Sequence, residues 1–217
     1  MILILGTQNS RLQTLDARLQ MVAESFLPTR FGRFRIYAFA EGDKDHIALV
    51  SCGHKMHDDV PVRVHSKCFT GDTLCSLRCD CRGQLEEALR YLKKKRCGIL
   101  IYLDQEGRGI GLSNKIKAYA LQDKGMDTVE ANTHLGFHDD LREYSVAAEI
   151  LKHFGVRNVA LLTNNPKKVE GLEKHGVKVA KIFPIVTKTN KYNRKYLETK
   201  ARKMNHFIKI ESGMAVK

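Results

Sequence analysis

Val159-Ala-Leu-Leu-Thr-Asn-Asn-Pro-Lys-Lys-Val-Glu-Gly-Leu-Glu-Lys-His-Gly-Val-Lys-Val-Ala-Lys-Ile-Phe183 holds, in one unbroken stretch, the alternation that decides the fold class. Val159–Leu162 is a short apolar run suited to a buried strand. Asn165 stands where a helix N-cap belongs and Pro166 at the first helical position, so Pro166–His175 reads as a helix. Val177–Phe183 returns to strand. Outward from this core, Leu141–Phe154 has helical spacing, with Tyr144, Ala148, Leu151 and Phe154 on one stripe and Gly155 as its stop. Ile110–Lys124 and Gly83–Arg96 read as helices, the latter with a basic end (Lys93–Arg96) that suits a helix C-terminus. Gly98–Leu103 reads as a buried strand, and Tyr192–Phe207 as a closing helix. The front is richer in strands: Phe34–Ala40, His46–Cys52 and Pro61–His65. Residues 1–24 read as an amphipathic lead-in with a short helix around Leu12–Val22. The expectation is an α/β (α+β mixed) fold in a single domain, with a β-rich N-terminal half and an alternating C-terminal half. Its parts are an extension at 1–24, the domain at 25–208 and a tail at 209–217.

A chain of 217 residues, 43% hydrophobic and 28% charged, is long enough to bury a core without staples. No run approaches the roughly 20 apolar residues of a membrane span. Met1–Leu5 lacks the basic start of a signal peptide, so a cytoplasmic protein without membrane partners is expected. The net charge of +13 is concentrated late: Lys167–Lys217 carries 14 Lys and Arg against 4 Asp and Glu. Such a surface attracts anions, whether nucleic acid, membrane or a polyphosphate substrate.

In a reducing compartment, clustered cysteines point to metal or catalysis rather than disulfides. Cys68, Cys79 and Cys81 are spaced C-x10-C-x-C and flanked by Asp72, Arg78, Asp80 and Arg82. Thiolates bind Zn²⁺ in a tetrahedron, and three protein ligands leave a fourth position for water, as catalytic sites do. Buried core thiols are the plainer alternative, which the polar flanks count against. Cys75 is open as a fourth ligand; Cys52 and Cys97 sit in apolar runs and read as core.

Arg63-Val-His-Ser-Lys-Cys68, Thr70-Gly-Asp72, Leu77-Arg-Cys-Asp-Cys81 and Gln84-Leu-Glu86 closely resemble the zinc segment of the GTP cyclohydrolase II family. The resemblance continues through Gln105-Glu-Gly-Arg108, Asn114–Asp123, Asp127–Asn132, Leu135-Gly-Phe137 and Leu161–Lys168, from about Val22 to about Ile208. It implies one Zn²⁺ per chain on Cys68, Cys79 and Cys81, Mg²⁺ with the GTP triphosphate, and a homodimer. It also implies conversion of GTP to 2,5-diamino-6-(5-phospho-ribosylamino)pyrimidin-4(3H)-one, formate and diphosphate, the first step of riboflavin biosynthesis.

Residue by residue, the resemblance puts the nucleotide on the Arg63–Lys67 segment (Arg63, Val64, His65, Ser66, Lys67) and on Gln84. Further contacts fall on Glu106, Gly107, Arg108, Thr128, Thr163 and Lys168. Among the catalytic groups it implies Tyr119 near the base, Asp140 as proton acceptor and Arg142 at the α-phosphorus. Read without the resemblance, Asp139-Asp140 would cap the following helix, Tyr119 would be core, and Gln105–Gly111 and Thr163–Lys168 would be strand-to-helix turns. A guanidinium stays protonated, so charge stabilisation suits Arg142 better than nucleophilic attack. The sequence departs from the family's pattern at Lys67, where an acid often stands; an added positive charge there would lower the pKa of water on the metal. A paralogue that stops at the formamidopyrimidine is the nearest rival. A basic, zinc-stabilised RNA-binding module is the rival from another class, and aromatic residues at only 7% leave it few stacking platforms.

Overall fold

The computed structural model describes residues 19–51, 59–95, 97–138, 140–203 and 207. Seven strands form one sheet: β1 Gln20–Thr29, β2 Gly32–Glu41, β3 Lys44–Val50, β4 Val60–Ser66, β5 Ile99–Leu103, β6 Asn158–Leu162 and β7 Lys178–Phe183. The helices are α1 Cys81–Lys95, α2 Gly111–Asp123, α3 Thr128–His134, α4 Ser145–His153, α5 Pro166–Lys174 and α6 Arg194–Lys203. The strand order is β1-β2-β3-β5-β4-β6-β7. From β1 to β5 neighbouring strands run antiparallel, and from β5 to β7 they run parallel. The expected β-rich front and alternating back are therefore two ends of one sheet.

β5 shows why its sequence is a continuous apolar run. Ile99, Ile101 and Leu103 join a core cluster with Ala147, Ile150 and Leu151 of α4 and Leu172 of α5. Leu100, pointing the other way, joins Ala88, Leu89 and Leu92 of α1. A strand covered by helices on both faces has no polar side to alternate with. At the far end, β1 is an edge strand with most of its residues exposed.

The parallel part contains a reversal of strand order. The crossover through α1 carries β4 to β5 on one side, whereas the path through α2, α3 and α4 brings β6 to the opposite side of β4. At such a switch point the loops after neighbouring strands part company and leave a crevice beyond their carboxyl ends.

Several local expectations are corrected. Gln20–Val22, read as the end of a helix, belong to β1, because pairing with β2 satisfies their backbone; the earlier part of that helix lies outside the described residues. Helix α4 starts at Ser145 rather than at Leu141, and Asp140 does not cap it: its carboxylate is taken up by Arg142, two residues on. The closing helix is shorter than expected, Arg194–Lys203. Helix α3, which carries no long apolar stripe, escaped the sequence reading. It is nucleated by a capping box in which Asp127 accepts from Val129 and Glu130 N–H while Glu130 accepts from Asp127 N–H. The expected caps of α5, Asn165 and Pro166, are in place.

Leu172 is fully buried beneath α4, whereas Asp127 works at the surface. Leu172→Ala should cost about 2–5 kcal/mol of stability and Asp127→Ala about 1 kcal/mol. Urea unfolding of both variants checks the ranking, and the reverse order would contradict this account of the core.

Candidate active site

The crevice beyond β4, β5 and β6 is a half-open cleft of ≈ 1060 Å³, its mouth included. Residues 63 and 65–68 at the end of β4, 105–108 after β5, and 163–165 with 168 after β6 contribute to its wall, and α1, α2, α3 and α6 complete it. Three segments far apart in sequence meet there because their strands are neighbours.

On one side lie the thiols. The ligand atoms of Cys68, Cys79 and Cys81 are all within 4.8 Å of one another. Cys68 Sγ and Cys79 Sγ are 3.7 Å apart, and a tetrahedron of Zn–S bonds of about 2.3 Å has S···S edges of about 3.8 Å. Gly71, in the π-helical turn Phe69–Thr73, makes room for this packing: a Cβ there would lie 2.8 Å from Cys79 Sγ and 3.1 Å from Cys68 Sγ. The thiols of Cys79 and Cys81 and the ammonium of Lys115 hold Cys68 far below the ordinary thiol range. Proximity to Cys68 pushes Cys79 up to about 11 and Cys81 well above its usual value. Three thiolates at this spacing need a cation to be ionised together, which is how a metal-ligand set behaves. The residues present therefore fit the expected zinc. Cys75 is no part of the group: it is exposed and its sulfur faces Arg82 Nη1 at 3.0 Å. Cys97, expected as core, is half-buried and disulfide-bonded.

A buried acid supports the thiol loop. Asp72 accepts from Cys68 N–H at 3.0 Å and from the Tyr102 hydroxyl at 2.8 Å, and lies 3.1 Å from His65 Nε2. Burial lowers the His65 pKa, so the neutral ring donates from Nε2 to Asp72 and leaves Nδ1 toward Arg63. Lys115 Nζ bridges Cys68 Sγ at 3.1 Å and Glu106 Oε1 at 2.8 Å, and Glu106 also accepts from Phe69 N–H at 2.6 Å. Gly107 and Arg108 both have positive φ, 61° and 65°. For Arg108 this is a strained conformation of the kind that clusters at functional sites.

The same cleft is lined by cations. Arg142 donates to both oxygens of Asp140 through Nε and Nη2, at 2.7 and 2.6 Å. Arg63 donates to the Leu162 carbonyl at 3.0 Å and to Gln84 Oε1 at 2.7 Å. Lys168, only 5% exposed, donates to the Val64 carbonyl at 2.6 Å. Among the described residues neither Arg63 nor Lys168 has a carboxylate partner, unlike Lys115, Arg142 and Lys200. Burial lowers Arg63 to about 10 and, with Arg63 and Arg142 nearby, carries Lys168 well below the lysine range. Arg63 Nε, Ser66 Oγ, Gln105 Oε1 and Asn165 Nδ2 are buried with no hydrogen-bond partner among the described residues. A cleft lined by cations without carboxylate partners and by unpartnered polar atoms is built for a polar anion.

The sequence-predicted residues converge here with two exceptions. Val64 is fully buried in the core behind the cleft, and Asp140 stands behind Arg142 rather than on the wall. Gln84, Thr128 and Thr163 line the cleft, and the Thr163 hydroxyl accepts from Asn165 N–H at 3.0 Å. Tyr119, which lines it too, carries the Arg78 guanidinium 4.3 Å above its ring. Lys67 is half-exposed and pairs with Asp104 at 3.0 Å, which offsets the charge expected from it at the metal position. Asp72, Lys115, Tyr196 and Lys200 were not singled out. Of these Asp72 and Lys115 stand inside quoted motifs, whereas nothing in their local pattern marked Tyr196 and Lys200 as more than a basic helix face.

The family model for GTP cyclohydrolase II matches residues 20–184. GTP cyclohydrolase-2 of Histophilus somni (strain 2336) is 52% identical over 196 residues, covering 88% of this chain and 90% of the relative. That of Picrophilus torridus is 49% identical over 191 residues, covering 88% of this chain and 100% of the relative. The riboflavin biosynthesis protein RibBA of Chlorobium phaeovibrioides is 51% identical over 196 residues, 89% of this chain and 48% of that longer protein. With the thiol cluster and the buried cations lining one cleft, and a match of this extent, the chain belongs to the GTP cyclohydrolase II family.

Proposed function

We propose that this chain hydrolyses GTP to 2,5-diamino-6-(5-phospho-ribosylamino)pyrimidin-4(3H)-one, formate and diphosphate, as the first step toward riboflavin. The observation that carries this reading is the pair of buried cations without carboxylate partners, Arg63 and Lys168, sharing a cleft with three convergent thiols. Cys68, Cys79 and Cys81 would hold Zn²⁺, which supplies Lewis acidity and activation of water. Mg²⁺ would accompany the triphosphate.

The chain's own residues divide the work. Lys168, Arg63 and Arg142 meet the phosphates, where negative charge grows as the α–β anhydride bond breaks and diphosphate leaves. Arg142, mostly buried, is kept protonated by Tyr144 and by its two bonds to Asp140, so its part is electrostatic. Asp140 is held ionised by the same guanidinium. Recruitment of Arg142 to phosphate would release Asp140 to accept a proton during the two hydrolyses that remove C8 as formate. Tyr119, Glu106 and Arg108, which line the same cleft, would meet the base.

We include a homodimer and a cytoplasmic location, the latter because the thiol cluster must stay reduced. Among the described residues no helix is long and apolar enough to cross a membrane. The edge strand β1 leaves Phe26 74% and Val22 61% exposed, a face that an isolated chain would have to protect from self-association. Phe26→Glu should shift the sedimentation of the protein from dimer toward monomer; an unchanged profile places the dimer contact elsewhere.

Lys168 gives a test with a sign. Its depressed pKa means that, between the folded value and the ordinary lysine value near about 10.4, the unfolded chain binds more protons than the folded one. Stability of the free protein should therefore rise with pH across that interval. Lys168→Met should abolish this rise, stabilise the free protein at neutral pH, and weaken GTP binding roughly 10- to 100-fold, the value of one charged hydrogen bond. Urea midpoints against pH and a GTP titration measure both; unchanged GTP affinity would remove Lys168 from the phosphate site.

The two chemical stages should separate. Cys81→Ser should still release diphosphate from GTP, leaving GMP, and yield no formate. Arg142→Ala should lose diphosphate release, and formate with it if that release comes first. Diphosphate, GMP and formate are to be quantified side by side. Formate from Cys81→Ser would contradict a role for the thiol cluster in ring opening, and loss of both products would make that cluster a structural clamp.

A further inference from the structure

Helix α6 lies beyond residues 20–184, the span matched by the family model, yet it reaches the cleft. Leu197, Thr199 and Lys200 are its buried positions, with Asn193 buried just before its start, and Lys195 Nζ ties it to the Gly125 carbonyl at 3.1 Å. Lys200, 7% exposed, runs inward to Asp80, with Nζ 2.7 Å from Oδ1. Asp80 stands between two of the three clustered cysteines, Cys79 and Cys81. Its other oxygen accepts from Gln84 Nε2 at 2.6 Å, and Gln84 Oε1 accepts from Arg63 Nη2 at 2.7 Å. One continuous line of polar contacts thus joins the C-terminal helix to the thiol segment and to the arginine of the phosphate wall.

We infer that Lys200 is a positioning residue of the active site, fixing the Cys79-Asp80-Cys81 segment for its metal through the buried Lys200–Asp80 ion pair. The Asp80 carboxylate is desolvated and lies next to thiols that must all ionise when metal binds. Without an ammonium beside it, that fourth negative charge would be buried unpaired and would push the segment away from the geometry the three sulfurs need. A neutral residue at both ends would remove the conflict. Packing of α6 alone predicts nothing of the kind, because it depends on the volume of the Lys200 side chain and not on the charge at position 80.

The inference rests on the proposed metal role of the three cysteines, and a double-mutant cycle read as zinc affinity tests it. Zinc binding to the full-length wild type, Lys200→Met, Asp80→Asn and the double variant is measured by competition with a chromogenic chelator, with circular dichroism confirming the fold. Lys200→Met should weaken zinc about 10- to 100-fold, the usual cost of a lost outer-shell partner. Asp80→Asn, which leaves Lys200 buried unpaired, should weaken it less, since the amide that replaces the carboxylate keeps an oxygen for Gln84. The double variant should bind zinc more tightly than Lys200→Met. If Lys200→Met does not fold, recovery of fold and zinc binding in the double variant supports the same pairing. Wild-type zinc affinity in Lys200→Met, or losses that add in the double variant, overturns the inference while leaving the metal reading intact. A wild-type chain that takes up no zinc overturns the metal reading itself, and the inference with it.

Discussion

The position of β4 between two parallel neighbours is the constraint on which the molecule depends. β5 and β6 flank it, reached by crossovers that leave in opposite directions, so the loops at the three carboxyl ends part and open a cleft. Backbone pairing fixes the register: Val62 opposite Ile99 and Leu161 sets how far Arg63, Glu106 and Thr163 project from their strand ends. The arginine, lysine and thiol groups gathered there are charged or polarisable and expensive to bury, and only a rigid sheet with helices on both faces can hold them.

Burial of charge gives the two walls their different characters. Lys115, Arg142 and Lys200 each face a carboxylate within 2.8 Å, and those carboxylates are buried as well. Such pairs add little stability against apolar packing, but each fixes a side chain that another group needs. Arg63 and Lys168 lack that compensation, and their pKa values fall as a result. Stability is given up in the free protein at the place where an anion would restore it, a common arrangement in binding sites. The thiols repeat the pattern: one negative charge is accommodated by Lys115 and by neighbouring S–H groups, and three require a metal.

The supports of the site are as informative as its walls. Asp72 orders the Cys68 backbone, His65 and Tyr102 at once, and Glu106 ties Phe69 to Lys115. Gly71 is needed because two sulfurs occupy the space a side chain would take. Asp72, Tyr102 and Gly71 stand behind the cleft wall rather than on it, which explains why the motifs extend beyond the cysteines and the cations of the cleft.

The sequence by itself determined the elements whose signals are local. The Asn165–Pro166 start of α5, the apolar β5 and the stripe Tyr144–Ala148–Leu151 are readable because caps, burial on both faces and the helical period act within a few residues. The motifs likewise marked Cys68, Cys79, Cys81, Arg63 and Lys168 before any geometry was known. Tertiary structure alone decided the rest. Strand β1 is a strand because β2 pairs with it, not because its own residues demand it. Asp140, well suited to cap a helix, binds Arg142 instead, through its backbone N–H and its guanidinium, because the helix begins only at Ser145. Val64 and Arg63 adjoin in sequence but face opposite ways, since a strand alternates its sides. Lys200 meets Asp80 across 120 positions. No local pattern encodes such a meeting; it follows from where the sheet sends the closing helix, and from the cost of leaving either charge buried alone.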